Sequence, residues 1–446
     1  MSWADLLRRA LIACVILTVA GGLSWSEIAA AGDADPQPLR PEKYRPGEGL
    51  RFSTPAGHTL RLFGYAQPSV EVKGTTGTNP PDTVARFRMR RLRLRLDGGS
   101  ADDRVDFRLQ VDLAGQTEAD VDEPTLLLDA FARYRLRGNT RISVGQRSTF
   151  TDNRELFMLS HTLQLPERSR VTSAFSAIRE VGIFAEDRWR VRQSSHYFKP
   201  YLVLTTGDGV ATFQPDRGGL KVGGRLDYLP FGLFYTFGQF REVDLVRELT
   251  PKLVVGAALS HNMGMSSRRG RGSGAILYLD ADGKESLPDY TKLCVDFLFK
   301  FKGLSILGEF NKTWARVPDD IALRVRNDGS TSADFSGDVD AYVRGRMMLG
   351  EGYNLQVGYL FPFRLTVDGR ITYLRPDEDS FLYNGTFYNR NRYVTGGVGY
   401  FFGHHYGLRV QGSITHVDVS EGSNDIQGDP IDGDEWIGRF ITTVAF

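Results

Sequence analysis

Residues 86–99 read RFRMRRLRLRLDGG, with arginine at 86, 88, 90, 91, 93 and 95 and phenylalanine, methionine or leucine between. In an extended strand successive side chains point to opposite faces, so Leu92, Leu94 and Leu96 share one face while Arg91, Arg93 and Arg95 share the other. A basic tail that binds nucleic acid would carry the charge without the alternation. The alternation slips between Arg90 and Arg91, because the upstream apolar residues, Phe87 and Met89, fall on odd positions. A β-bulge at that step would restore a common face. A leucine face aggregates in water and a row of arginines is costly to bury in a soluble core, so this strand needs two solvents, lipid on one side and water on the other.

Composition narrows the choice. The 446-residue chain is 24% charged and 11% aromatic with a formal net charge of +1, which argues against nucleic acid as a partner. Of its 55 cationic residues 45 are arginine and 10 lysine, so a cationic surface here is mostly guanidinium, suited to bidentate anion contacts. Residues 1–31 read as a secretory signal: Arg8 and Arg9, an apolar run over 10–20, then small residues at Ala29, Ala30 and Ala31. The LIAC at 11–14 mimics a lipoprotein box, but the apolar run continues past Cys14. Cleavage after Ala31 leaves Cys294 as the single thiol and no internal disulfide. No apolar run of 18 residues follows, so a membrane-spanning chain of this sequence must be a barrel.

Period-two segments recur to the end of the chain. VDFRLQVDL (105–113) alternates without a break, and its nine residues, tilted, cover the roughly 25 Å apolar band of an outer-membrane barrel. Weaker versions stand at 126–136, 140–147, 292–301, 304–314, 353–361, 364–374 and 406–417. Tight connectors at 137–139, 302–303, 361–363 and 403–405 alternate with long polar ones at 114–124, 263–274 and 376–392. Short turns on one side with long loops on the other are the beat of a bacterial barrel. The expected fold is all-β, a transmembrane antiparallel β-barrel of 16 strands, or 18 if residues 231–251 supply a pair rather than an insertion on the short-turn side. The expected organisation is a signal peptide over 1–31, an irregular leader over 32–56 and one barrel over 57–446. The final strand, DEWIGRFITTVAF, ends on Phe446 with Phe440, Thr442 and Val444 on the same face. It resembles the terminal signal read by the outer-membrane barrel assembly machinery.

Placing one arginine on the lipid face costs about 2–4 kcal/mol near the midplane. Three would consume much of a stability margin of about 5–15 kcal/mol. The leucines therefore face lipid, and Arg91, Arg93 and Arg95 face a wet lumen. The same parity places Arg108, Arg133, Arg135, Arg141 and Arg147 there, although Arg108 or Arg147 taken singly reads as a solvated strand residue. A path lined this way favours anions.

The chain resembles the phosphate-selective porins O and P of the bacterial cell outer membrane. The likeness lies in TLRLFGYAQ (59–67), RMRRLRLRLDG (88–98), VDFRLQVDL (105–113), LDAFARYRL (128–136), ISVGQRSTF (142–150), PERS (166–169), TTGDG (205–209) and GGVGYFFGHHYGLRV (396–410), in that order. It implies a homotrimeric porin for small anions, phosphate among them, embedded in outer-membrane lipid and needing no cofactor or metal. It also implies a third outer loop folded into the lumen as a constriction. By order that loop spans 148–179 and carries Arg154, Arg168, Arg170 and Arg179, flanked by Glu155, Glu167 and Glu180, so loop-folding ion pairs compete with anion contacts for these four. The phosphate-selective members also use a lysine cluster at the mouth, and the 10 lysines here form none that can be placed. The alternative readings are a barrel with an enzymatic role and one with a structural or binding role. Ser160 beside His161 is the one pairing that suggests a nucleophile and base, and sequence neighbours rarely form such a pair.

Overall fold

The computed structural model describes residues 39–76, 83–114, 126–210, 217–383, 390–420, 422–423, 430 and 433–446. The segment 1–31, expected as a signal peptide, lies outside them. Sixteen long antiparallel strands form one closed sheet: β1 (Thr59–Thr75), β2 (Thr83–Gly99), β3 (Val105–Asp112), β4 (Leu127–Arg137), β5 (Thr140–Arg147), β6 (Glu180–Glu186), β7 (Tyr197–Thr205) and β8 (Lys221–Leu229) make the first half. The second half is β9 (Lys252–Asn262), β10 (Asp289–Phe301), β11 (Leu304–Arg316), β12 (Gly350–Leu360), β13 (Leu365–Pro376), β14 (Arg390–Phe401), β15 (Leu408–Val419) and β16 (Glu435–Ala445). Each strand pairs with its successor, and β16 pairs with β1 from Glu435 opposite Thr75 to Ala445 opposite Tyr65, so no edge is left open.

The strands alternate as the sequence demands. On β2, Arg91, Arg93 and Arg95 are buried toward the lumen while Leu92, Leu94 and Leu96 between them keep partial exposure on the outer surface. Phe87 and Met89 are exposed, which is what the slip in parity requires. The pairing of β1 with β2 shifts at that step: Gln67 lies opposite Arg91 and Pro68 opposite Met89, so Arg90 is the extra residue of a bulge. Pro68 has no N–H to give the ladder, so an irregular register there costs little. The outer face elsewhere presents Leu202, Leu259, Leu355, Ile371, Val398 and Ile414. Exposed aromatics flank this band, with Trp314, Tyr373 and Trp436 toward the long-loop end and Trp189, Phe363 and Phe402 toward the short-turn end.

Connections alternate in length around the barrel. Two-residue turns at 138–139 and 302–303 lie on the same end as the start of β1 and the end of β16, and the loops 148–179, 263–288 and 317–349 lie on the other. The outer loops form a roof with its own apolar cluster, including Met265, Tyr278, Phe335, Val343 and Met347, and a small three-stranded sheet. Two short strands before the barrel, Arg40–Pro41 and Leu50–Ser53, pair with each other and then onto β1, so part of the stretch expected as leader is hydrogen-bonded to the wall.

Residues 230–251 make no strand pair. They enter the lumen from the short-turn end and plug it on one side. Phe234 packs with Leu229, Val254, Leu298 and Leu307, and Val243 and Leu245 pack with Leu360, Phe401 and Tyr406. Lys300 on β10 donates to the carbonyls of Gly238 and Val243 at 3.0 and 3.1 Å, and Gly303 N–H donates to Asp244 at 2.8 Å.

Phe446 sits at the seam of the barrel: its N–H donates to Gly64 O at 3.0 Å, and its ring fills the space that a side chain at Gly64 would need. Deleting Phe446 should remove that ring and the terminal aromatic together. Outer-membrane fractionation should then show a marked drop in the variant's level, and wild-type levels would count against a terminal strand that needs its last residue.

Candidate functional site

The third outer loop, 148–179, turns inward and crosses the lumen, and the wall is built to receive it. Arg154 is fully buried and donates to Asp296 and Asp227, each at 2.8 Å, beside Arg225, which shares both carboxylates. Gly256 on β9 makes room for this group, because a side-chain carbon there would fall under 3.0 Å from the guanidiniums of Arg225 and Arg154. Lys292 forms an ion pair with Asp152. Asn153 donates to Glu309 at 3.0 Å, and the N–H of Glu155 donates to the same carboxylate at 2.7 Å. Further round, Arg409 and Gln411 of β15 donate to loop carbonyls at Leu163 and Gln164. The loop thus lies along the wall from β8 to β15.

The far end of the loop is clamped by β2. The bulge turns Arg90 and Arg91 to the same side, and both meet Glu167: Arg90 Nε at 2.5 Å, Arg91 at 2.8 Å. These two guanidiniums hold the Glu167 carboxyl well below the usual carboxylate range despite its burial. Arg91 also donates to Gln67 at 3.0 Å. The loop meets the segment 230–251 as well: Glu242 accepts from Gln164 N–H at 2.7 Å and from Gln356 at 2.8 Å. Burial, and then the Glu155 carboxylate, raise the Glu242 pKa.

All three loop carboxylates are therefore engaged away from the remaining space. Asp152 faces Lys292, Glu167 faces the β2 arginines, and Glu155 accepts from the N–H and hydroxyl of Ser169 at 2.8 and 2.7 Å with Arg370 3.6 Å away. Among the described residues a cleft of about 70 Å³ lies between the loop segment 156–161 and the wall of β1–β4. Arg93, Arg95, Arg108, Arg168 and Arg179 border it with Asp129, and Leu156, Phe157, Met158 and Leu159 form its loop side.

The arginine wall is paired but not neutralised. Glu71 serves Arg86, Arg88 and Arg439; Glu167 serves Arg90 and Arg91; Asp112 serves Arg93; Asp97 serves Arg95 and Arg108. Among the described residues, eight guanidiniums share four carboxylates. Aromatic rings hold several of them flat: Arg95 lies 5.0 Å from the Phe63 ring centre and Arg108 5.7 Å from that of Phe131.

The residues singled out from the sequence divide into four groups. Arg93, Arg95, Arg108, Arg168 and Arg179 border the cleft, with Arg168 also donating to the loop carbonyls of Glu155, Leu156 and Met158 and Arg179 to Asp129. Arg91 and Arg154 face inward but are clamps for the loop, and Arg170 lies over the Tyr393 ring at 5.9 Å. Arg147 is enclosed by the rings of Phe131, Phe150 and Phe184. Arg133, with Asp106 and Glu186, and Arg135 opposite Arg141 lie toward the short-turn end. Ser160 accepts from Arg93 and Arg168, while His161 packs against Phe63, Tyr65 and Tyr406, where burial and then Arg95 keep its pKa well below the ordinary value. Arg90, Arg225, Lys292, Arg370 and Arg409 were not singled out, and parity alone had put Arg90 in doubt.

A candidate mouth lies above. A second cleft, in the outer loops, is bordered by Arg268, Arg324, Arg326 and Arg346. Arg324 and Arg346 both lie over the Tyr342 ring, at 4.9 and 4.7 Å.

Residues 69–192 match the profile of the family described as phosphate-selective porin O and P. No curated protein matches the chain. Among solved structures the fold is similar to the trimer form of OmpT, an outer membrane protein of Vibrio cholerae, at 9% identity over 87% of this chain and 100% of that one, TM-score 0.49. It is also similar to the outer membrane channel DcaP of Acinetobacter baumannii, at 12% identity over 89% and 99% of the two chains, TM-score 0.48. For OprB of Pseudomonas putida the identity is 10% over 88% and 94%, TM-score 0.48.

The Glu167 clamp can be tested directly. A depressed carboxyl pKa contributes stability that is present above the unfolded value of about 4.3 and lost only as pH falls through the lower folded value. Open-channel current noise should therefore stay flat from about pH 7 to pH 5 in the wild type. Glu167→Gln leaves two buried guanidiniums without their carboxylate, a loss of about 3–5 kcal/mol. That variant should be noisy at every pH and should unfold in detergent at a lower temperature.

Proposed function

We propose that this chain, a porin of the bacterial outer membrane whose residues 69–192 carry the phosphate-selective porin O and P sequence pattern, conducts small anions in preference to cations. The observation that carries the reading is the shared pairing along β2, β3 and β16, where among the described residues eight guanidiniums meet four carboxylates, one of them the loop's own Glu167, while the loop's Asp152 and Glu155 are engaged elsewhere. A net positive confined path lowers the barrier for anions and raises it for cations. The whole-chain charge of +1 cannot supply that field, so it must come from local groups. The arginine-bordered cleft in the outer loops supports the same direction by drawing anions toward the mouth. The family's description brings phosphate into the solute class.

The residues assigned to the path are Arg93, Arg95, Arg108, Arg168 and Arg179. Arg91 and Arg154 are assigned to holding the loop. The mature channel is a homotrimer of barrels in outer-membrane lipid, as the family resemblance implies, exported by removal of residues 1–31 and inserted by the barrel assembly machinery.

Replacing Arg95 and Arg108 together by glutamine tests the reading. A unit charge about 6 Å from a passing ion is worth about 0.7 kcal/mol in water, with opposite sign for anion and cation, so the anion-to-cation permeability ratio should fall about tenfold for each arginine removed. The released Asp97 carboxylate works in the same direction, since it lies on both guanidiniums. Reversal potentials in a salt gradient measure the ratio. A conducting variant with an unchanged ratio would place selectivity elsewhere.

A further inference from the structure

The two sides of the cleft differ in chemistry. Arg95 and Arg108 stand on the wall side, while on the loop side Phe157 and Leu159 are half-buried and leave part of their apolar surface to the space. Phe157 is held in place: the Phe150 and Phe240 rings meet it edge-on at 5.7 and 6.3 Å, and Arg225 lies 5.0 Å from its ring centre. Its orientation is therefore fixed by packing rather than left to the solute. His161, at the end of the same loop segment, packs among aromatic rings.

A hydrated inorganic oxyanion is polar on every side. It gains from the guanidiniums but loses hydration against the apolar ledge without compensation. A solute with a carboxylate at one end and a flat apolar body at the other matches both sides: guanidinium and carboxylate pair in a planar fork, and the body lies on the ring. We infer that the cleft is a passage for organic carboxylates with an apolar, ring-like body, in preference to inorganic oxyanions, with the carboxylate on Arg95 and Arg108 and the body on Phe157 and Leu159. This rests on the anion reading above and narrows it.

The test is a titration of chloride current through the purified channel in planar bilayers with benzoate, acetate or phosphate. Benzoate and acetate share charge and head group and differ by the ring. Benzoate should reduce the chloride current at about a tenfold lower concentration than acetate or phosphate, as contact with a ring face implies. Phe157→Ser, and separately Leu159→Ser, should bring benzoate toward acetate. The wild-type comparison decides the matter even where a variant fails to insert. If benzoate and acetate act equally, or phosphate acts most strongly, in an anion-selective channel, this inference fails alone. A cation-selective channel overturns the anion reading and this inference together.

Discussion

A guanidinium cannot be left against hydrocarbon, and β2 carries six of them within ten residues. That constraint sets the sheet's curvature, because the arginine face must look onto water and the leucine face onto lipid, and only closure supplies both without an open edge. It also explains the bulge. With Phe87 and Met89 outside on one parity and Leu92 outside on the other, one residue must be extra, and the register places it at Arg90. Two adjacent arginines then point inward, and the carboxylate that satisfies both is Glu167, far along the chain in the third outer loop. A local rule of strand geometry thus determines where a long loop ends.

The interior is divided by the same economy of charge. From β8 to β15 the lumen is filled, by the loop on one side and by residues 230–251 rising from the short-turn end, and nearly every buried ion there meets a partner on the wall. Such pairs are costly to break, since removing one member strands the other in a poorly solvated site. Along β1 to β4 a cleft remains among the described residues, with carboxylates shared among more numerous guanidiniums. The filled half therefore holds the loop, and the half bordered by the β2 and β3 arginines is the one proposed for solutes.

The barrel was legible because period-two alternation is a local signal that hydrocarbon enforces strand by strand. The sixteen strands, the long-short alternation of connectors and the step at Arg90 and Arg91 all follow from it, while the third loop came from the family resemblance. The roles of individual arginines were not legible to the same degree. Parity says that Arg91 and Arg95 point inward alike, but it does not say that Arg91 will meet a loop carboxylate while Arg95 shares Asp97 with Arg108 across the strand pair. Those outcomes depend on register and on contacts between residues distant in sequence. Residues 230–251 were ambiguous for a related reason: their apolar side chains serve the lumen wall, where no periodicity is imposed.

The proposed anion preference stands on a wall where, among the described residues, guanidiniums outnumber the carboxylates they share. The most direct measurement is the zero-current potential of the wild-type channel across a planar bilayer with a potassium chloride gradient. A potential of the sign set by chloride, persisting in moderate salt where exposed surface charge is screened, is the predicted result. A potential set by potassium would contradict it.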